Sequence, residues 1–223
     1  MADLHVVRVF CGEDGSWGNP LGVFLDGGAV PEPDRQRVAA DLGFSETVFV
    51  DDPRHGEIRI FTPAVELPFA GHPVVGTAWL LAREREPVAA LRPPAGEVAV
   101  RVEGGLAYAA GRPEWAPGIG FWEVGSPAEV EALDGSPEGA DPEVGVWAWI
   151  DEPAGMIRER VFAPGYGIPE DEATGSAAIT LAARLGRELD IRQGHGSRIL
   201  ARPLPGGLVE IAGRVEHDEV REY

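Results

Sequence analysis

Two stretches of the chain repeat one arrangement, and the repeat limits the folds open to it. Residues 69–76 read Phe-Ala-Gly-His-Pro-Val-Val-Gly, and residues 171–178 read Asp-Glu-Ala-Thr-Gly-Ser-Ala-Ala. Each places a glycine, then a side chain able to exchange a proton (His72 or Ser176), at the mouth of an apolar helix-forming run. The runs are Pro73–Arg85, with Val74, Val75, Ala78, Leu81 and Ala82 apolar, and Ala173–Leu185. Strand-like segments precede and follow each. This order predicts a duplicated α+β unit, each half a curled sheet around one central helix. Strands and helices alternate too sparsely for a doubly wound sheet or a (β/α)8 barrel.

The remaining elements fit that plan. His5–Phe10 and Leu21–Leu25 read as a hairpin around the turn-rich Gly12–Pro20 loop, and Pro33–Leu42 as a helix stopped by Gly43. Thr47–Val50 and Glu57–Phe61 are strands around the turn 51–56. Glu97–Val102 and Leu106–Ala110 are strands around Gly104-Gly105. Gly111–Gly120 carries three Gly and two Pro and marks a boundary between residues 1–112 and 113–223. Beyond it come a short helix at Pro127–Leu133, an acidic loop at Ser136–Pro142, strands at Val144–Ile150 and Met156–Phe162, and closing strands at Ser197–Ala201 and Gly207–Ala212. The last strand can return to the first domain.

Composition narrows the chemistry. At 223 residues, 44% hydrophobic and 25% charged, the chain has the profile of a globular protein with a substantial core. No stretch approaches ~20 apolar residues, and the N-terminus runs straight into a strand pattern, so a cytoplasmic location is expected. The net charge of −18 argues against nucleic acid as a partner. It also opposes the approach of an anion, whose charge must then be met locally. All 19 basic residues are Arg, which removes Schiff-base chemistry on lysine. The single Cys11 excludes an internal disulfide and a Cys-based zinc site. The five His are scattered without metal-ligand spacing, and Gly165-Tyr-Gly lacks the rest of a nucleotide-binding pattern, so neither a metal nor a cofactor is expected.

Four places can carry chemistry. His72 falls at about the cap of its helix, where the dipole disfavours a protonated imidazole; it faces a ligand there or simply caps the helix. Thr174 and Ser176 are natural caps for the second helix, Gly175 lets a ligand approach its backbone, and Asp171 either takes part or only satisfies the positive helix end. Glu46 enters a strand between apolar neighbours, half-buried with a raised pKa as a general base requires, or facing water. Asn19 sits in an Asn-Pro turn that either aims it at a ligand or is only a turn. Two helix starts with bare N–H groups would form a two-sided site for an anionic substrate. A hydrolase triad of Ser176, His72 and Asp171 lacks the Gly-x-Ser-x-Gly elbow.

Together, Gly18-Asn-Pro-Leu-Gly-Val-Phe, Gly43-Phe-Ser-Glu-Thr-Val-Phe-Val, Ile60-Phe-Thr-Pro with Glu66-Leu-Pro-Phe-Ala-Gly-His-Pro-Val-Val-Gly-Thr-Ala, and Arg160-Val-Phe-Ala-Pro with Glu170-Asp-Glu-Ala-Thr-Gly-Ser-Ala-Ala resemble the PhzF-like phenazine biosynthesis family. That family shares the diaminopimelate epimerase fold. The resemblance implies two pseudo-symmetric domains, each a curled, mostly antiparallel sheet around a central helix, with the site in the cleft between them. It implies a homodimer and cofactor-independent isomerisation of a small carboxylic acid by proton transfer. Where epimerase relatives carry Gly-Cys pairs, this chain has Gly71-His72 and Gly175-Ser176, so a two-thiol racemase mechanism is ruled out. By the same resemblance Glu46 is the catalytic acid/base, and His72, Asp171 and Ser176 complete the catalytic set. Amides near Gly71 and Gly175 bind the substrate carboxylate, with Asn19, Pro73, Thr174 and Ala177 in substrate contact. The alternative is a small-acid binding or scaffold protein that keeps the fold without turnover. Two departures stand out: Glu172 replaces the family's usual proline, and the second domain is trimmed.

Overall fold

The structure is a computed structural model that describes residues 2–223 apart from Pro117 and Pro142. These two prolines belong to the 111–120 boundary segment and the 136–142 acidic loop, and lie outside the described residues.

The first half contributes strands β1 (Asp3–Cys11), β2 (Asn19–Phe24), β3 (Glu46–Asp52), β4 (Glu57–Phe61), β5 (Glu66–Leu67), β6 (Ala90–Leu91), β7 (Val98–Glu103) and β8 (Leu106–Gly111), with helices α1 (Arg35–Leu42) and α2 (Gly71–Glu84). The second contributes β9 (Gly120–Glu123), α3 (Pro127–Glu131), β10 (Val144–Asp151), β11 (Met156–Ala163), β12 (Ile168–Asp171), α4 (Gly175–Leu185), β13 (Leu189–Gln193), β14 (Ser197–Pro203) and β15 (Val209–Glu222).

Helix α2 dictates the shape of the first half. Its first eight residues, Gly71 to Ala78, are all buried, as are Leu80 and Leu81. A helix apolar on every side has to be wrapped. The sheet does so by curling through β4-β3-β2-β1-β15-β8-β7-β6. A parallel bridge between Glu57 and Arg92 closes the ring, with Arg92 N donating to Gly56 O at 2.7 Å. The helix packs so closely that a Cβ on Gly76 would stand 2.6 Å from both Leu21 Cδ2 and Val9 Cγ2. Outside the ring, Val38 and Ala39 of α1 cover Leu4, Phe24, Phe49 and Phe61.

The second sheet runs β15-β14-β13-β11-β10-β9, with β12 paired to β11. Its helix α4 packs on β14 and β15 and touches α2. Among the described residues no pairing returns β9 to β15, so this sheet stays open. Most pairings are antiparallel; β2/β3, β9/β10 and β11/β13 are parallel. One core, including Val74, Val75, Ala178, Ile179 and Ile211, runs through both halves.

Several sequence expectations shift. Strand β15, Val209–Glu222, runs ten residues past the expected end at Ala212: Val209–Gly213 pair with β8, Val209–Ala212 with β14, and residues 214–222 with β1. Its second part is rich in charge because its outer flank faces solvent, and that hid it from an apolar-periodicity reading. Strand β13 was missed although Leu189-Asp-Ile-Arg-Gln alternates plainly. A 3-10 turn at Glu32–Asp34 takes the start of the expected 33–42 helix. Helix α2 starts at Gly71 rather than Pro73, and α4 at Gly175 rather than Ala173, because the backbone is still extended at Ala70 and Thr174 and turns helical only after them. No helix of the described residues is long and apolar enough to cross a membrane.

Candidate active site

The two repeated turns meet face to face. A Cβ placed on Gly71 would lie 2.7 Å from the Gly175 carbonyl carbon, and one on Gly175 would lie 2.8 Å from His72 N. Only glycine lets two helix starts touch in this way. By position, His72, Gly175, Ser176 and Ala177 carry main-chain N–H groups with no carbonyl one turn back in their helices.

The caps differ from expectation. Ala70, not His72, is the N-cap of α2, so His72 is the second helical residue, fully inside. Thr174 caps α4 by position, but its hydroxyl donates to Asp171 Oδ2 at 2.7 Å instead of serving the helix. Ser176 does not cap its own helix; its Oγ accepts the Gly71 N–H of the other at 3.2 Å. Each helix start is thus fastened to the opposite half. Pro73, the third residue of α2, is buried and offers no N–H.

Around this junction lie three titratable groups sealed from water. Glu46 opens β3 and is 7% exposed, where the half-buried position expected from sequence is corrected to a buried one. Asp171 ends β12 at 4%, and His72 is 2% exposed. Glu46 Oε2 and His72 Nδ1 stand 3.2 Å apart but are not aligned for a hydrogen bond. Among the described residues His72 Nε2 also lacks a partner. Burial pulls the His72 imidazole down to about 3, so it is neutral and its contact with Glu46 is not an ion pair. Burial, then the charge of Asp171, pushes Glu46 well above the usual carboxylate range, against a hydrogen bond from Ser45. Asp171 is pushed up to about 6, first by burial, against hydrogen bonds from Thr174 and Asn19.

Asn19 is bound into this cluster. Its Nδ2 donates to Asp171 Oδ1 at 2.6 Å and to Ala173 O at 3.0 Å, while its Oδ1 accepts from Ser45 Oγ at 3.0 Å. The sequence reading missed Ser45 and Gln193. Gln193 Nε2 donates to Asp171 O at 2.8 Å, and its Oε1 accepts Thr174 N–H at 2.9 Å. Its signal was available: it is a polar residue on the inward phase of Leu189 and Ile191 in β13. A cavity of about 300 Å³ opens beside the cluster and is lined by Asn19, Phe44, Ser45, Ile168 and Asp171. Glu46, His72 and Ser176 are buried and do not line it. Cys11 is fully buried at the end of β1, with its thiol pushed up to about 11 by burial. Among the described residues no group of three or more His, Cys, Asp or Glu is arranged to hold a metal ion.

Residues 7–112 and 143–216 match the model of the PhzC-PhzF family, phenazine biosynthesis-like protein. The chain belongs to that family. A trans-2,3-dihydro-3-hydroxyanthranilate isomerase from Pseudomonas fluorescens is 33% identical over 224 residues, covering 82% of this chain and 80% of the relative. A solved PhzF-family phenazine biosynthesis protein from Bacillus anthracis superposes with a TM-score of 0.78 at 20% identity, over 100% of this chain and 98% of that one. A solved protein from Pseudomonas aeruginosa, described as a predicted epimerase, gives 0.78 at 25% identity, over 100% and 99%. The α+β fold, with its two pseudo-symmetric halves, is therefore diaminopimelate epimerase-like, and the chain is an enzyme of the isomerase class. Strand β9 and helix α3 fall between the two matched segments.

Proposed function

We propose that this chain is a cofactor-independent isomerase that moves a proton on a small carboxylic acid held between its two halves. The observation that carries this reading is the junction of Gly71 and Gly175, with Glu46, His72, Asp171 and Ser176 buried around it. The N–H groups and positive dipole ends of α2 and α4 supply the local anion site that a net charge of −18 demands. Glu46 takes the proton from carbon and returns it; burial raises its proton affinity above that of an ordinary carboxylate, which makes it a stronger base. Neutral His72, with Nε2 free of partners, and Asp171, titrating at about 6, pass and hold protons. Ser176 fixes the junction and offers its hydroxyl to the substrate. The halves part at the Asn19–Asp171 contact to admit it.

The name of the Pseudomonas fluorescens relative makes trans-2,3-dihydro-3-hydroxyanthranilate the first compound to try. Turnover in D2O should place one deuterium in the product, read by mass spectrometry. Glu46→Gln should abolish that exchange. Absence of exchange with this compound and with a panel of small carboxylic acids would favour the binding-protein alternative, and wild-type exchange by Glu46→Gln would remove Glu46 as the base.

A further inference from the structure

Glu172 follows Asp171 in the chain yet is bound by a different set of partners. Its Oε1 accepts the His195 N–H and the Ser197 hydroxyl, both at 2.9 Å, and its Oε2 lies 2.9 Å from His195 Nδ1. Ser197 Oγ in turn accepts the Gly18 N–H at 3.1 Å. Gly18 precedes Asn19, which holds Asp171 directly. Two consecutive residues of one half, Gly18 and Asn19, are therefore tied to two consecutive residues of the other, Asp171 and Glu172.

The turn that receives Glu172 is shaped to its carboxylate. A Cβ on Gly194, which has φ +56°, would run into that carboxylate, and one on Gly196 would run into the Trp17 indole. Trp17 stacks on His195 with ring centroids 5.3 Å apart. It does so at φ +59°, a conformation unfavourable for a bulky residue and maintained here by its surroundings.

We propose that Glu172 is a positioning residue for Asp171: its carboxylate anchors the end of β12 to the Gly194–Ser197 turn and, through the Ser197 hydroxyl, to Gly18. The charge of Glu172 is among the causes that raise Asp171, after burial. Other charged or titratable groups surround the pair: Glu170 precedes Asp171 in β12 and is paired with Arg160 of β11 at 2.6 Å. Glu46 faces Asp171 from β3, and His72 lies beyond it on α2. Arg158 on β11 donates to Gly194 O at 2.7 Å and is paired with Glu131 of α3, while His195 sits on Glu172 itself. The consequence for turnover rests on the function proposed above, whereas the effect on Asp171 does not.

The test is a pH titration of the free protein labelled with 13C at the aspartate carboxyls. The Asp171 signal is assigned by its loss in Asp171→Asn. In Glu172→Gln the Asp171 midpoint should fall by about half a pH unit or more, while Glu172→Asp should stay near wild type. An unchanged midpoint in Glu172→Gln overturns the proposal, as does an equal fall in Glu172→Asp. With trans-2,3-dihydro-3-hydroxyanthranilate as probe, the corresponding limb of the kcat/KM profile should move with the titration in Glu172→Gln. If Asp171→Asn turns the probe over at the wild-type rate, the catalytic reading of Asp171 fails while the titration still decides the role of Glu172.

Discussion

At the scale of single residues, burial sets the protonation states. Glu46 and Asp171 are acids raised by desolvation; His72 is a base lowered by it. The three are therefore kept uncharged together at mildly acidic pH, which is what allows them to crowd one junction. If Glu46 is the proton carrier, Glu46→Gln should cut kcat by about 10²- to 10⁴-fold with little change in KM. A second buried acid lies outside the junction. Glu159 on β11 is fully buried, opposite Gln193 and Trp147, and among the described residues neither of its oxygens has a hydrogen-bond partner. Burial pushes it up to about 8. A carboxyl raised in the folded state stabilises the protein fully below its unfolded pKa, and that contribution is lost as pH climbs through the folded one. The Tm of the wild type should therefore fall between pH 5 and about pH 9, and Glu159→Gln should flatten that fall. A Tm profile with the same slope in both proteins would contradict this account.

At the scale of elements, the decisive feature is how two helices begin. Gly71 and Gly175 were legible as turn residues because each precedes a reactive side chain and an apolar run. What the sequence could not show was that the two glycines touch each other, since they are separated by more than a hundred residues. The caps illustrate the same limit. Ser176 and Thr174 have the right chemistry for caps, but Ser176 serves the other helix and Thr174 serves Asp171, because tertiary partners compete for the same hydroxyls. Gly175→Ala should force the two helix starts apart. We expect a loss of about 1–3 kcal/mol in unfolding free energy and loss of exchange activity, measured by urea unfolding and deuterium incorporation. Gly175 is helical and has no positive φ, so that loss reports crowding between the helix starts rather than backbone strain.

At the scale of the whole molecule, charge and one strand matter most. With 37 acidic against 19 basic residues, the protein repels an anionic substrate at long range and holds it only at close range. Raising ionic strength from about 10 mM to about 150 mM should then raise kcat/KM for a carboxylate substrate, since screening removes the repulsion. A fall in kcat/KM would show that attraction dominates the approach. Strand β15 binds β8 and β14 with its first residues and β1 with the rest, so it joins the wrapping of α2 to the sheet that carries α4. Ending the chain at Gly213 should leave β1 with β2 as its one remaining neighbour, open the ring around α2 and abolish cooperative unfolding, followed by circular dichroism on heating.

The sequence by itself determined the elements whose information is local. Apolar runs with a glycine at the mouth specify helices at the right places, alternation specifies most strands, and the α+β class follows from their order. It also named Glu46, His72, Asp171 and Ser176, through motifs spread along the chain. Only the tertiary structure decided what those residues touch. Burial sets the proton affinities of Glu46, His72 and Asp171, Asn19 is held inside a hydrogen-bond network, and Ser45 and Gln193 join the cluster from a separate turn and strand. Desolvation and cross-half hydrogen bonds depend on distances between residues far apart in the chain, and periodicity carries no record of those distances.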